Sequence, residues 1–146
     1  KKPTAVGVAT GAVAGLVAIT PASGSTTVAG ALIIGAVSSL AGYFMVTKVK
    51  HALKYDDSLD VFGVHGIGGI VGALLTGVFL REGYDGSFII QLKAVLFTVV
   101  WSGVVSVIAL FIAKVVCGGL RVSEEVEHAG LDVSDHGEEA YHSEGH

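Results

Sequence analysis

Uncharged, mostly apolar residues run through this chain in long windows broken by short polar punctuation. A membrane-crossing helix needs about 20 such residues, and the windows 4–20, 28–48, 60–80 and 88–117 meet or approach that length. The first ends at Thr20-Pro21-Ala22-Ser23-Gly24-Ser25, where proline followed by glycine and serine predicts a turn. The second stops at Lys48, Lys50, His51 and Lys54. The third follows Asp56, Asp57, Ser58 and Asp60 and is closed by Arg81-Glu82-Gly83-Tyr84-Asp85-Gly86. Acids ahead of a helix satisfy its open amides and suit its dipole. The fourth carries Lys93 near its start and Trp101 within, and ends at Gly118-Gly119-Leu120-Arg121. The pattern predicts an all-α integral membrane region over 1–118 with four transmembrane helices, followed by an irregular tail over 119–146.

Composition supports the division. Only 15% of the 146 residues are charged, against roughly 25% in soluble domains, and none lies between Pro3 and Thr47. The stretch from Arg121 onward instead holds eight acids and four histidines, a solvated composition. A single Cys117 excludes an internal disulfide framework and a cysteine metal cluster. The formal net charge of −4 gives no reason to expect nucleic acid. No glycine-rich strand-to-helix phosphate motif is present, and neither an enzymatic activity nor a cofactor is expected. His128, His136, His142 and His146 match no compact metal-ligand spacing, so no metal site is expected either.

Lysine and arginine in short loops mark the cytoplasmic side. If all four windows cross, Lys1, Lys2, Lys48, Lys50, Lys54, Lys114 and Arg121 share one side, which places both ends of the chain in the cytoplasm. The chain does not begin with methionine and its first window starts almost at once, which suggests a piece of a longer protein. Small residues four apart, Gly11 with Gly15, Ala31 with Gly35, Ser38 with Gly42, Gly68 with Gly72 and Ala73 with Gly77, are expected to let helix backbones approach closely in lipid.

Ionisable residues inside spans point to function, and His65 is the one that sits well inside an apolar window. At α-helical spacing it shares a face with Gly68, Gly69, Gly72 and Thr76, so it is expected to point at another helix or a narrow cavity. An apolar site disfavours imidazolium, and neutral histidine both donates and accepts a hydrogen bond. Such a group suits a small polar solute or a passing proton; a satisfied helix-to-helix hydrogen bond and a tetrapyrrole ligand are the other readings. Asp57, eight residues earlier, is expected to cap the helix, and a capping carboxylate at a pore mouth also shapes the local potential.

The stretch Asp56-Asp57-Ser58-Leu59-Asp60-Val61-Phe62-Gly63-Val64-His65-Gly66 resembles the tenth helix of the ammonium transporter family (Amt), which is related to the Rhesus proteins. Gly15-Leu16-Val17-Ala18-Ile19-Thr20-Pro21-Ala22-Ser23-Gly24 is similar to the eighth helix and its exit, and Gly30-Ala31-Leu32-Ile33-Ile34-Gly35 to the ninth. Val100-Trp101-Ser102-Gly103-Val104 resembles the eleventh. The stretches Gly119 to Glu125, Gly130-Leu131-Asp132 and His136-Gly137-Glu138 resemble the regulatory tail. The resemblance implies an eleven-helix subunit built on inverted repeats, a homotrimer with a pore in each subunit in the inner or plasma membrane, and ammonium or ammonia as the transported species.

It further implies that His65 is the second of two facing pore histidines. Val61 then lies at the narrow cytoplasmic side of the path, Thr20 lies near the external end of the eighth helix, and Asp57 is a structural acid with Asp60 beside it. In the tail it implies a docked segment including Arg121, Glu124, Gly130, Asp132, Ser134 and Gly137, which couples subunits and meets a PII-type signal protein. A phosphate on Ser134, between Asp132 and Asp135, would repel its neighbours and undock the segment. No part of the chain matches the helix that supplies the first histidine, so the rest of the subunit's helices, along with lipid, are expected partners and transport by this stretch alone is not expected. The rival reading is a small four-span adaptor whose acidic tail binds a cytosolic regulator.

Overall fold

The computed structural model describes residues 4–138. Among them the fold is helical throughout, with no strand beyond one antiparallel bridge between Thr26 and Leu80. Helix α1 spans Ala5–Ile19, capped by the Thr4 hydroxyl, which accepts from Gly7 N at 3.0 Å. It runs into a 3-10 turn, Thr20–Ala22, containing Pro21. Helix α2, Val28–Phe44, is capped by Thr27, whose hydroxyl accepts from Gly30 N at 3.1 Å. A π-helical stretch, Met45–Val49, carries it on into α3, Lys50–Leu53, which ends where Lys54 turns left-handed with φ 52°. A second π-helical stretch, Phe62–Ile67, leads into α4, Gly68–Thr76. Helix α5 is Phe88–Cys117 and α6 is Glu124–Ala129, followed by a π-helical turn, Asp132–His136.

Three of these helical runs are long and apolar enough to cross a membrane: Ala5–Ala22, Val28–Leu53 and Phe88–Cys117; Phe62–Thr76 is a shorter apolar helix. The differences from the windows have local causes. Lys48, Lys50 and His51 end the apolar stretch of the second window but not its helix, because long cationic side chains reach water while the backbone ladder continues. The third window loses its last turn to tertiary pairing. Thr26 Oγ1 donates to the Phe79 carbonyl at 2.5 Å and Arg81 N donates to the Ser25 carbonyl at 2.9 Å, so the chain after Thr76 is drawn out of the helix to meet the turn between α1 and α2.

Helices α1, α2 and α4 pack together, and the chain divides after Val100 into two units. In the first unit the buried positions other than Gly63 recur every fourth residue: Ala14, Ala18 and Ala22; Gly30, Ile34, Ser38 and Gly42; Val64, Gly68, Gly72 and Thr76. Ser38 with Gly42 and Gly68 with Gly72 lie on these seams. Gly15 and Gly35 meet each other across α1 and α2, where a β-carbon on Gly35 would stand 3.9 Å from the Gly15 α-carbon, whereas Gly11 has open space. The tightest approach is at Gly72, whose β-carbon would lie 2.1 Å from the carbonyl oxygen of Ala18. The core is therefore made by backbones in contact, the packing available where lipid offers no hydrophobic drive. No residue of α5 is buried, and Phe97, Trp101 and Phe111 are exposed.

Candidate functional site

Asp57 and the first amides of the third apolar helix set the geometry around His65. Asp57 Oδ1 accepts from Val61 N at 2.8 Å and Oδ2 from Phe62 N at 3.0 Å, so one carboxylate fills two of the open donors at the helix start. Immediately after this cap the chain winds as a π-helix, Phe62–Ile67, a form concentrated at functional sites. Its wall is close: a β-carbon on Gly63 would lie 2.5 Å from Val46 Cγ2, and one on Gly42 would lie 3.2 Å from the Gly63 carbonyl. Outside it, the Phe62 ring meets Tyr55 edge-on, with centroids 6.0 Å apart.

The π turn decides where His65 goes. Gly63 is buried against α2 and the π-helical stretch that follows it, Gly68 and Gly72 are buried toward α1, Val64 is buried as well, and His65 is exposed. Among the described residues Val64 rather than His65 is buried in line with Gly68 and Gly72, and the imidazole stands exposed on the open side of the unit. Val61, 51% exposed, is also on the surface there. Thr20 is exposed at the opposite end, its hydroxyl donating to the Leu16 carbonyl at 2.8 Å. The seam aligns Gly68 with Ala14 and Gly72 with Ala18, so Thr20 and His65 stand about two and a half helical turns apart along the axis. The structure thus brings His65, Val61, Asp57 and Asp60 to one end and leaves Thr20 at the other.

A cavity of about 390 Å³ lies between α1, α2 and the start of the His65 helix, with Thr10, Ser39, Thr47 and Asp60 in its lining; His65 is not among its walls. Lys50, which entered the sequence reading only as a topogenic charge, proves to be part of the site. Its ammonium donates to the Asp57 carbonyl and, at 2.6 Å, to Asp60 Oδ1. Three lysines in the second loop offered no means of choosing it; only the tertiary turn selects it.

In the second unit, Arg121 Nη2 donates to both carboxylate oxygens of Glu127, at 2.9 and 3.1 Å, and His128 Nε2 lies 3.9 Å from Glu124 Oε1. Ser123 caps α6 by accepting from Val126 N at 3.4 Å. Gly130 and Gly137 take positive φ of 93° and 64° on either side of the last turn, conformations that suit residues without a β-carbon. Between them Ser134 Oγ donates to the Gly130 carbonyl at 2.6 Å. Asp132 is exposed at the start of that turn, where its carbonyl accepts from Glu138 N at 2.9 Å. His136 ends the turn, and His142 and His146 lie outside the described residues.

Comparison with known proteins gives this arrangement a family. The profile described as Ammonium Transporter Family matches residues 1–141. The ammonium transporter of Aquifex aeolicus is 49% identical over 96% of this chain and 35% of its own length, and that of Bacillus subtilis is 40% identical over 97% and 38%. The crystal structure of Candida albicans Mep2 superposes with a TM-score of 0.74 at 33% identity, covering 85% of this chain and 31% of that one. The chain spans a little over a third of the length of these curated relatives. By profile, by identity and by fold, it belongs to the ammonium transporter family.

Proposed function

We propose that this chain forms one wall of a path that carries ammonium nitrogen across a cell membrane, completed by further helices of the same subunit in a homotrimer. The observation that carries the reading is the placement of His65: an imidazole on the open side of an apolar helix, held there by a π turn and an Asp57 cap. Four crossings, with Phe62–Thr76 as a short one and the C-terminus cytoplasmic, fit the clustering of basic residues. A bare ammonium ion in such a path faces a Born-type penalty on the order of tens of kcal/mol before the protein responds. Deprotonation removes most of it. Ammonia then passes against the His65 imidazole, hydrogen-bonded as donor or acceptor, while the proton travels separately and the net process moves charge.

Val61 narrows the cytoplasmic side, Thr20 lies near the external end, and Asp57 is structural. The segment from Arg121 through Glu124, Gly130, Asp132 and Ser134 to Gly137 regulates conduction by docking on the cytoplasmic face, where a PII-type signal protein binds. The test is ammonium-dependent current in liposomes carrying the full-length protein with His65→Ala or His65→Asp. Loss of current in these variants is expected, and undiminished current in both overturns the proton relay.

A further inference from the structure

One cation ties the end of the second helical run to the start of the helix that bears His65. Lys50, on α3, donates to the main-chain carbonyl of Asp57 and to Asp60 Oδ1, the latter at 2.6 Å. The paired side chains keep 22% and 31% of their exposure, so the pair is screened less than one on an open surface. The two acids do different work. Asp57 spends its carboxylate on Val61 N and Phe62 N, whereas Asp60 spends its own on Lys50.

Asp60 also holds φ at 56°, and its amide donates to the Asp57 carbonyl at 3.1 Å. A left-handed backbone with a β-carbon present persists only where its surroundings fix it. Lys50 grips the turn at both ends, at the Asp57 carbonyl and the Asp60 side chain. The turn in turn sets where the π-helical ladder begins.

We infer that Lys50 is a positioning residue for His65. A π turn is rare and occurs mostly at functional sites, and this one begins directly after the turn that Lys50 holds. With the Lys50 anchor removed, the first turn relaxes toward α-helical winding and His65 swings toward the stripe of Gly68 and Gly72, away from the open side. Lys50 touches no transported species in this account; it acts through Asp60 and Asp57. The inference rests on the reading of His65 as a path residue for its effect on transport, but the positioning itself is measurable without that reading.

The experiment compares Lys50→Met, Lys50→Arg, Asp60→Asn and the double variant Lys50→Met/Asp60→Asn in the full-length protein, matched for folded material by size exclusion. Backbone amide exchange at Val61 and Phe62 is expected to quicken about tenfold in Lys50→Met and to return close to the wild-type rate in Lys50→Arg. The maximal rate of methylammonium uptake in proteoliposomes is expected to fall about tenfold in Lys50→Met with little change in KM, as displacement of a distant support does. Lys50→Arg restores it, and the double variant is no worse than the poorer single one. Should Lys50→Met fail to fold, Lys50→Gln, which keeps a donor for the Asp57 carbonyl and lacks the charge, takes its place. Unchanged amide exchange in the uncharged variant, or losses that multiply in the double variant, overturns the inference. A wild-type protein that carries no ammonium flux while the exchange result holds refutes the transport reading and leaves the positioning role of Lys50 supported.

Discussion

Gly72→Ala places a methyl group against a carbonyl that has nowhere to go. The new β-carbon would stand 2.1 Å from the Ala18 oxygen, 2.8 Å from its carbonyl carbon and 2.9 Å from its α-carbon. An ordinary carbon-to-oxygen contact needs about 3.4 Å, so the seam between α1 and α4 must open by about 1.3 Å. Both partners are helix backbone, which cannot swing aside as a flexible side chain can. A gap of about 1 Å forfeits up to half of the dispersion attraction across the seam, and overpacking of this kind costs about 1–3 kcal/mol. Alanine's better helix propensity returns up to about 1 kcal/mol. The clash wins, leaving a net loss of about 1–2 kcal/mol, or roughly a 5- to 30-fold fall in the folded-to-unfolded ratio.

Gly69 supplies the control from the same helix, because nothing lies within 4 Å of a β-carbon built there. Gly69→Ala is expected to hold or raise stability through propensity alone. The assay is the apparent thermal midpoint of the detergent-solubilised full-length protein, followed by loss of the monodisperse size-exclusion peak. Gly72→Ala should fall below wild type and Gly69→Ala should not. A Gly72→Ala protein that melts with wild type refutes the backbone-contact account of this core.

The other predictions draw on single bonds. Asp57→Ala frees Val61 N and Phe62 N and is expected to lower stability by about 1–2 kcal/mol, with Asp57→Asn intermediate, in the same thermal assay; equal midpoints for all three refute the cap. Thr26→Val keeps the volume and removes the hydroxyl bonded to the Phe79 carbonyl, at a cost of about 1 kcal/mol, which a wild-type midpoint contradicts. Ser134→Asp removes the bond to the Gly130 carbonyl and adds charge beside Asp132 and Asp135. Limited tryptic cleavage after Arg121 should then quicken, and an unchanged rate refutes a structural role for that hydroxyl.

Much of the helical arrangement was legible because hydrophobic windows and caps are local. The fourth window coincides with α5 from Phe88 to Cys117, since nothing in its apolar run competes with helix. The turn at Pro21 and the cap at Asp57 were both expected from local residue types, whereas the caps at Thr4 and Thr27 emerge only in the structure. What the sequence did not show depends on partners distant along the chain. Thr26 and Phe79 are 53 residues apart, and their bond explains why helix stops at Thr76 although apolar residues continue to Leu80. Lys50 is ten residues from Asp60, and only the left-handed turn makes them neighbours.

That His65 is exposed while Gly68, Gly72 and Thr76 are buried has a more specific cause. Counting at 3.6 residues per turn puts it in line with Gly68, Gly72 and Thr76, and that count assumes one winding throughout. Across Phe62–Ile67 the ladder closes one residue later, each residue turns the chain less, and the deficit brings Val64 into the line that His65 would have held. Gly63 and Gly66 sit within this turn at close contacts: Val46 Cγ2 would lie 2.5 Å from a β-carbon on Gly63, and the Phe62 ring stands 2.9 Å from one on Gly66. Both glycines were legible in the sequence only as small residues, and the π winding around them was not. The same deficit turns the imidazole from the seam, where it would be a buried polar group facing backbone, to the exposed side of the unit.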